Sequence, residues 1–420
     1  MQTLWTHISE QSETVTTSAW TLLVLGVLLS LSIVVDTISR RTALPRISLL
    51  VLVGVGYALI QQGLLGHDAE PLNGLREPLI NLALVMVAFL LGGELTWSRL
   101  KSTGPLIIAL SVAVVIGSLV TVFAGLWLLG YSLVVAVSLA AISVATDPAA
   151  VSEAVAESDE KSDSKSDAKS DEKSLVARVI LGIVAIDDAW GIIVFGLCMA
   201  LLSWIGATSG EASLVHTVWE LGGAVLLGLA LGFPAAWLTG QLKPGRPTQA
   251  EALALMLLMA GFSSYLNVSA LLTAMVAGFV IVNVSSHHTR SFNEIEQIEW
   301  PFLVFFFVLA GASLKLAHLS TALGLVGAYI VLRSIGRYLG GYLGVLAMRR
   351  REPRLKTNIG LGLLPQAGVA MGMALLAAER FPEQGQLIVA TVVTSTIIFE
   401  LFGPLLVKRV IANPGKSDAY

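Results

Sequence analysis

The residues with chemistry to offer are few, and they lie where charge is costly. Asp147 stands in Thr146-Asp147-Pro148 near the middle of a long apolar run, and Asp187 and Asp188 form a pair near the middle of the next. Arg333 and Arg337 sit one helical turn apart in a later run, and Glu400 lies in the last. An ionisable side chain at mid-membrane costs about 2.5 to 3.5 kcal/mol on insertion scales and marks an ion path or proton relay by default. Three carboxylates at similar depth on neighbouring spans are too costly to serve as glue. Arg337 and Glu400 also fit a plainer role, as buried ion pairs or side chains snorkelling to the interface. Carboxylates are hard oxygen ligands that suit an alkali cation as well as a proton. Burial and like charge raise a carboxylate's proton affinity and a nearby arginine lowers it, so one site can hold either. Adjacent residues lie about 100° apart around a helix, which separates the roles of Asp187 and Asp188. Asp188 is expected to face Asp147 and bind the cation with it, while Asp187 meets Arg333 or Arg337. Thr146 and nearby backbone carbonyls are expected to complete the coordination.

The elements that must position these groups are apolar. Of 420 residues, 55% are hydrophobic and 13% charged, against roughly 25% charged in soluble domains. That balance excludes an ordinary cytosolic enzyme and points to one all-α integral membrane domain over residues 1–420. The net charge of −3 comes without a basic patch large enough for a phosphate backbone, so nucleic acid is not expected as a partner. The single cysteine, Cys198, lies in an apolar run and reads as a small core residue. The first 18 residues lack a basic start, and the first apolar run is followed by Arg40 and Arg41, so no cleaved signal is expected.

Apolar stretches fall near 19–38, 47–65, 79–98, 105–130, 132–156, 175–204, 214–240, 250–266, 268–285, 300–316, 320–348, 358–379 and 384–409. About 13 transmembrane helices follow. Loop charge supports the count. Loops after odd-numbered spans carry Arg40, Arg41 and Arg46, then Arg99 and Lys101, Lys243 and Arg246, Arg290, the run Arg349 to Lys356, and Lys408 and Arg409. Loops after even-numbered spans are short or acidic. By the positive-inside rule the N-terminus faces out and the C-terminus is cytoplasmic, and the chain is expected in the plasma (inner) membrane.

Pro148 removes a helical hydrogen bond and should break the fifth span. The twelfth is interrupted in the same way by Leu364-Pro365-Gln366-Ala367-Gly368. Unwound backbone inside a membrane is tolerated only where it is buried in protein or lines a cavity. Thirteen spans divide into six, a linker and six, so the fifth corresponds to the twelfth, and an odd offset of seven inverts one half against the other. Paired broken helices in inverted repeats point to the substrate site of a secondary transporter. Gln366 either faces the crossing from the second half or satisfies loosened backbone. If the domain moves only when its carboxylate charge is neutralised by a cation or by protons, antiport follows with no covalent step and no cofactor.

These residues resemble a known family. ATDPAA at 145–150 followed by GIVAIDDAWGI at 182–192 is similar to the monovalent cation:proton antiporters of the bacterial sodium/proton exchanger and Kef-type branch. NVSALLTAMVAGFVI at 267–281, FFFVLAGASLKL at 305–316 and GLLPQAGVAMGMAL at 362–375 extend the match in order. The resemblance implies a homodimer in which a core of spans four to six and eleven to thirteen slides against a dimerisation domain, carrying the ion at Asp188. Paired aspartates imply electrogenic Na+/H+ exchange, with Li+ also carried. Paired-aspartate relatives place a lysine in the eleventh span. Here only Arg333 and Arg337 are available, and arginine does not release its proton. Kef-type chains commonly add a nucleotide-binding domain; here about ten residues, 410–420, are expected to form a short cytoplasmic tail.

Two rivals compete with Na+/H+ antiport. One is K+/H+ exchange on the same fold; the other, more remote, is an intramembrane aspartyl protease, whose GxGD signature is absent. Ser263 and Ser264 have no histidine at their depth to make a serine protease. Four SDxK-type tetrads over 158–173 cannot bury apolar area, and residues 157–174 are expected to form a mobile cytoplasmic loop. His287 and His288 read as a solvated pair and Glu94 as an interfacial ion-pair residue.

Overall fold

The computed structural model describes residues 2–42, 46–60, 75–94, 96, 104–160, 168–205, 214–241, 249–285, 288–312, 319–350, 352–353, 355–366 and 368–412. Their regular structure is entirely helical. In chain order the helices are α1 (Gln2–Arg41), α2 (Arg46–Ile60), α3 (Arg76–Glu94), α4 (Gly104–Leu128), α5 (Leu133–Ile142), α6 (Pro148–Glu160) and α7 (Ala168–Trp204). They continue as α8 (Leu214–Gln241), α9 (Gln249–Leu266), α10 (Ala270–Val284), α11 (His288–Ala312) and α12 (Leu319–Met348). A 3₁₀ turn (Ile359–Leu363), α13 (Gly368–Arg380) and α14 (Pro382–Ala412) complete the order. Each apolar stretch read from the sequence overlaps these elements, the fifth and the twelfth being shared between two each. Among the described residues seven helices are long and apolar enough to cross a membrane, and six apolar helices are shorter.

The fifth and twelfth stretches are broken. α5 ends at Ile142 and α6 begins at Pro148; the 3₁₀ turn ends at Leu363 and α13 begins at Gly368. Ser132 caps α5, its side chain accepting from the Val135 amide, and Gly130 just before it takes φ +86°, a left-handed turn suited to glycine. Of the tetrad segment expected to form a mobile loop, residues 158–160 continue α6 and 168–173 open α7, where Glu, Lys and Ala favour helix. Residues 161–167 lie outside the described set, as do 413–420 of the expected tail.

Packing divides the chain into two compact units, 1–83 with 298–314 and 84–297 with 315–420. In the first, α2 and the second part of α11 meet through glycines: a Cβ on Gly54 would strike the Val308 carbonyl, and one on Gly311 the Val51 carbonyl. Arg46 pairs with Asp36 at 2.8 Å and lies over the Trp300 ring.

The second unit holds both breaks. Its most extensive packing is α12 on α4, where a Cβ on Gly117 would come within 2.6 Å of the Gly340 Cα and one on Gly336 within 2.9 Å of the Ser118 Cα. Small residues let helices approach this closely where lipid removes the hydrophobic drive for association. An apolar cluster including Leu110, Val151, Val176, Ile183, Val345, Ile359 and Val407 joins α4, α6, α7, α12, the 3₁₀ turn and α14. α8 packs on α10 by the same device, with Gly228 against the Thr273 carbonyl and Gly232 against Ala277. Arg380 at the end of α13 pairs with Glu220 of α8 at 3.1 Å.

Candidate ion-translocation site

The two breaks meet. The Asp147 amide donates to the Pro365 carbonyl at 3.0 Å, stitching the first interruption to the second. Asp147 is itself the N-cap of α6. Its Oδ1 accepts from the Ala149 amide at 3.2 Å and its Oδ2 from the Ala150 amide at 3.1 Å, with Pro148 in the first helical position, where its missing N–H costs nothing. Asp-Pro is thus a helix-start signal as well as a helix-break signal. Each carboxylate oxygen keeps a further lone pair for another partner.

Asp187, fully buried on α7, gathers three other elements. Its Oδ2 accepts from Arg337 NH1 of α12 at 2.6 Å and from the Thr146 hydroxyl of the first break at 2.6 Å. Its Oδ1 accepts from the Ser111 hydroxyl of α4 at 3.5 Å. Of the two arginines open to Asp187 from the sequence, the structure places Arg337 against it and not Arg333. Asp188 follows on the same helix, but its side chain lies outside the described set, so its approach to Asp147 is not described.

Arg333 does other work. Its Nε donates to the Ser143 carbonyl at 3.1 Å, NH2 to the Ala145 carbonyl at 2.8 Å and NH1 to the Leu364 carbonyl at 2.7 Å, binding both breaks at once. Its guanidinium also lies 4.4 Å from the centre of the Phe399 ring of α14. Arg337 NH2 adds bonds to the Ser143 and Val144 carbonyls. The carbonyls that a helix end leaves unpaired are therefore matched one by one. Leu139 accepts from the Ser143 amide, Ala140 from the Ser143 hydroxyl, Ala141 from the Val144 amide and Ile142 from the Ala145 amide. Ser143, Val144 and Ala145 are taken by the two arginines.

This occupancy differs from the expected coordination. The carbonyls near Thr146 were to help ligate the cation, yet guanidinium groups already cover them and place positive charge beside them. Thr146 does face the carboxylate cluster, donating to Asp187 with a weaker 3.5 Å approach to the Leu363 carbonyl. Gln366 is fully buried in the second break, and its Nε2 donates to the Ile142 carbonyl at 3.1 Å and to the Tyr329 hydroxyl at 3.2 Å. Glu400 is buried on α14 next to Phe399. Gly403 of α14 abuts Pro365, where a Cβ would meet the proline ring at 2.8 Å. Ser111, Tyr329 and Phe399 were not singled out from the sequence. Tyr329 alone carried a signal, standing one turn from Arg333 on the same face of α12.

Two interrupted helices crossing in a membrane bundle, with buried carboxylates and arginines at the crossing, define the fold of a secondary antiporter. The fold is similar to that of the sodium proton antiporter MjNhaP1 from Methanocaldococcus jannaschii at pH 8, with a TM-score of 0.70, 18% identity, and coverage of 94% of this chain and 100% of that one. An electron-microscopy structure of the same antiporter matches with a TM-score of 0.62 and 17% identity, covering 92% and 95%. No curated protein matches the sequence. The family described as "Sodium/hydrogen exchanger, transmembrane" matches residues 26–411, and the chain belongs to it. It is a multi-pass membrane protein that exchanges a cation for protons, a transporter and not an enzyme.

Proposed function

We propose that the chain exchanges Na+, and with it Li+, for protons across the plasma membrane by alternating access, electrogenically and as a homodimer with its N-terminus outside and C-terminus inside. The observation that carries this reading is the crossing itself. Asp187 is held by Arg337, Thr146 and Ser111, and the next residue on α7 is a second aspartate at the same depth. Asp188 is the ion carrier. Asp147, anchored at the start of α6, is its partner in holding the cation. Asp187 is engaged by Arg337 in an ion pair, and Asp188 and Asp147 are the two carboxylates that trade protons for a cation. Two proton sites per cation make the exchange electrogenic.

Reconstitution into liposomes with an imposed pH gradient tests this reading. Na+, Li+ or K+ is added in turn, and lumenal pH is followed with and without a membrane potential. Na+ and Li+ should collapse the gradient, and the rate should respond to voltage, because one charge moving through 100 mV is worth about 2.3 kcal/mol. A response to K+ alone would reassign the cation, and a voltage-independent rate would make the exchange electroneutral.

A further inference from the structure

α12 presents three polar side chains at one-turn spacing on a single face: Tyr329, Arg333 and Arg337. Arg337 engages Asp187, and Arg333 engages carbonyls of both breaks. Tyr329 is fully buried, and its hydroxyl accepts from Gln366 Nε2. Gln366 in turn reaches from the second break to the Ile142 carbonyl, the end of α5.

Gln366 is not there to rescue that carbonyl, which already accepts from the Ala145 amide at 3.2 Å. Nor does the site satisfy the amide in return, since Gln366 Oε1 is buried with no donor among the described residues. An apolar side chain of the same volume would avoid that unmet acceptor. What the amide supplies is a neutral tie among three elements: the end of α5, α12 and the second break. Arg333 ties the same three elements one turn further along α12. Thr146 follows Ile142 by four residues of unwound chain and donates to Asp187 at 2.6 Å, so where α5 ends sets where Thr146 stands.

We propose that Tyr329 and Gln366 are positioning residues for the exchange: their hydrogen bond fixes the end of α5 against α12, and through it the placement of Thr146 and Asp187 around Arg337. Among the described residues, neither hydrogen-bonds a carboxylate. This rests on the reading above that the crossing carries the ion.

The test is exchange in proteoliposomes over a range of Na+ concentration and pH, comparing the wild type, Tyr329→Phe, Gln366→Met and the double variant, with thermal unfolding in detergent measured in parallel. Tyr329→Phe should raise the apparent KM for Na+ about five-fold, the worth of one hydrogen bond, Gln366→Met, which also loses the bond to Ile142, at least as much, and both should displace the pH profile. Maximal rate and unfolding midpoint should stay near those of the wild type. The double variant should be no worse than the more severe single one, because both remove the same bond. Tyr329→Phe deletes only a hydroxyl and remains informative even if Gln366→Met fails to fold. Wild-type KM and pH profile in Tyr329→Phe, or additive effects in the double variant, would overturn the proposal while leaving the ion reading intact. A wild type that exchanges no cation would remove both.

Discussion

The two arginines of α12 are the same residue type, one turn apart and both fully buried, yet they hold different partners. That difference makes their removal distinguishable. Arg337→Met strands the Asp187 carboxylate in the protein interior, and breaking one side of a buried pair costs about 3 to 5 kcal/mol. Thermal unfolding in detergent should show the loss, and Asp187→Asn in the same background should restore part of it by removing the stranded charge. Arg333→Met leaves the Arg337–Asp187 pair in place but frees the Ala145 and Leu364 carbonyls, and Asp187→Asn should bring no recovery there. Arg337→Lys should also fall short of the wild type, because an ammonium is a point charge and does not reproduce a guanidinium fork spanning Asp187 and two carbonyls. Asp188→Asn should abolish exchange with the unfolding midpoint little changed; undiminished exchange would remove Asp188 as the carrier. The sequence marked both arginines but could not choose between them, because a shared face and a one-turn step leave the decision to where α7 and the first break lie in space.

At the scale of elements, both interruptions were legible because proline acts locally: Pro148 opens α6 at the first position, where a helix tolerates it, and Pro365 stands in the non-helical stretch between the 3₁₀ turn and α13. What fills the interruptions was not legible. The carbonyls of 143–145 are satisfied by side chains 188 to 194 residues later, a separation that no local pattern encodes. The tetrad segment is helical at its two described ends, 158–160 and 168–173, for a local reason. Its composition reads as solvated chain, while its Glu, Lys and Ala residues prolong a helix already nucleated by the apolar span beside it. The close approach of α4 and α12 yields a sharp expectation. Gly340→Leu adds a side chain where a Cβ alone would come within 2.7 Å of the Ala113 carbonyl and the Val114 Cα. Folded yield should fall severely, whereas Gly327→Leu, on the same helix with open space around it, should be tolerated.

For the molecule as a whole, the apolar stretches read as one all-helical membrane domain, and the family and fold comparisons agree with that architecture. Loop charge sets the expected sidedness, and cysteine labelling measures it. In a Cys198→Ser background, single cysteines at Ser174 and at Gly210 should label from opposite sides of the membrane, Ser174 from the cytoplasm and Gly210 from outside. Labelling of both from one side would break the alternation of spans.

The arginine ladder of α12 also bears on how the chain enters the bilayer. A helix bearing two guanidinium groups meets an insertion penalty of about 2.5 to 3.5 kcal/mol for each. By the order of synthesis, the first break with its carbonyls of 143–145 and α7 with Asp187 emerge from the ribosome before α12, whereas Leu364 emerges after it. Most of the partners that make α12 tolerable in lipid are therefore waiting when it arrives. The first half of the repeat acts as a template for inserting the second, and Asp187→Ala should leave a fraction of chains with the eleventh span unintegrated, visible as protease-sensitive species during membrane targeting.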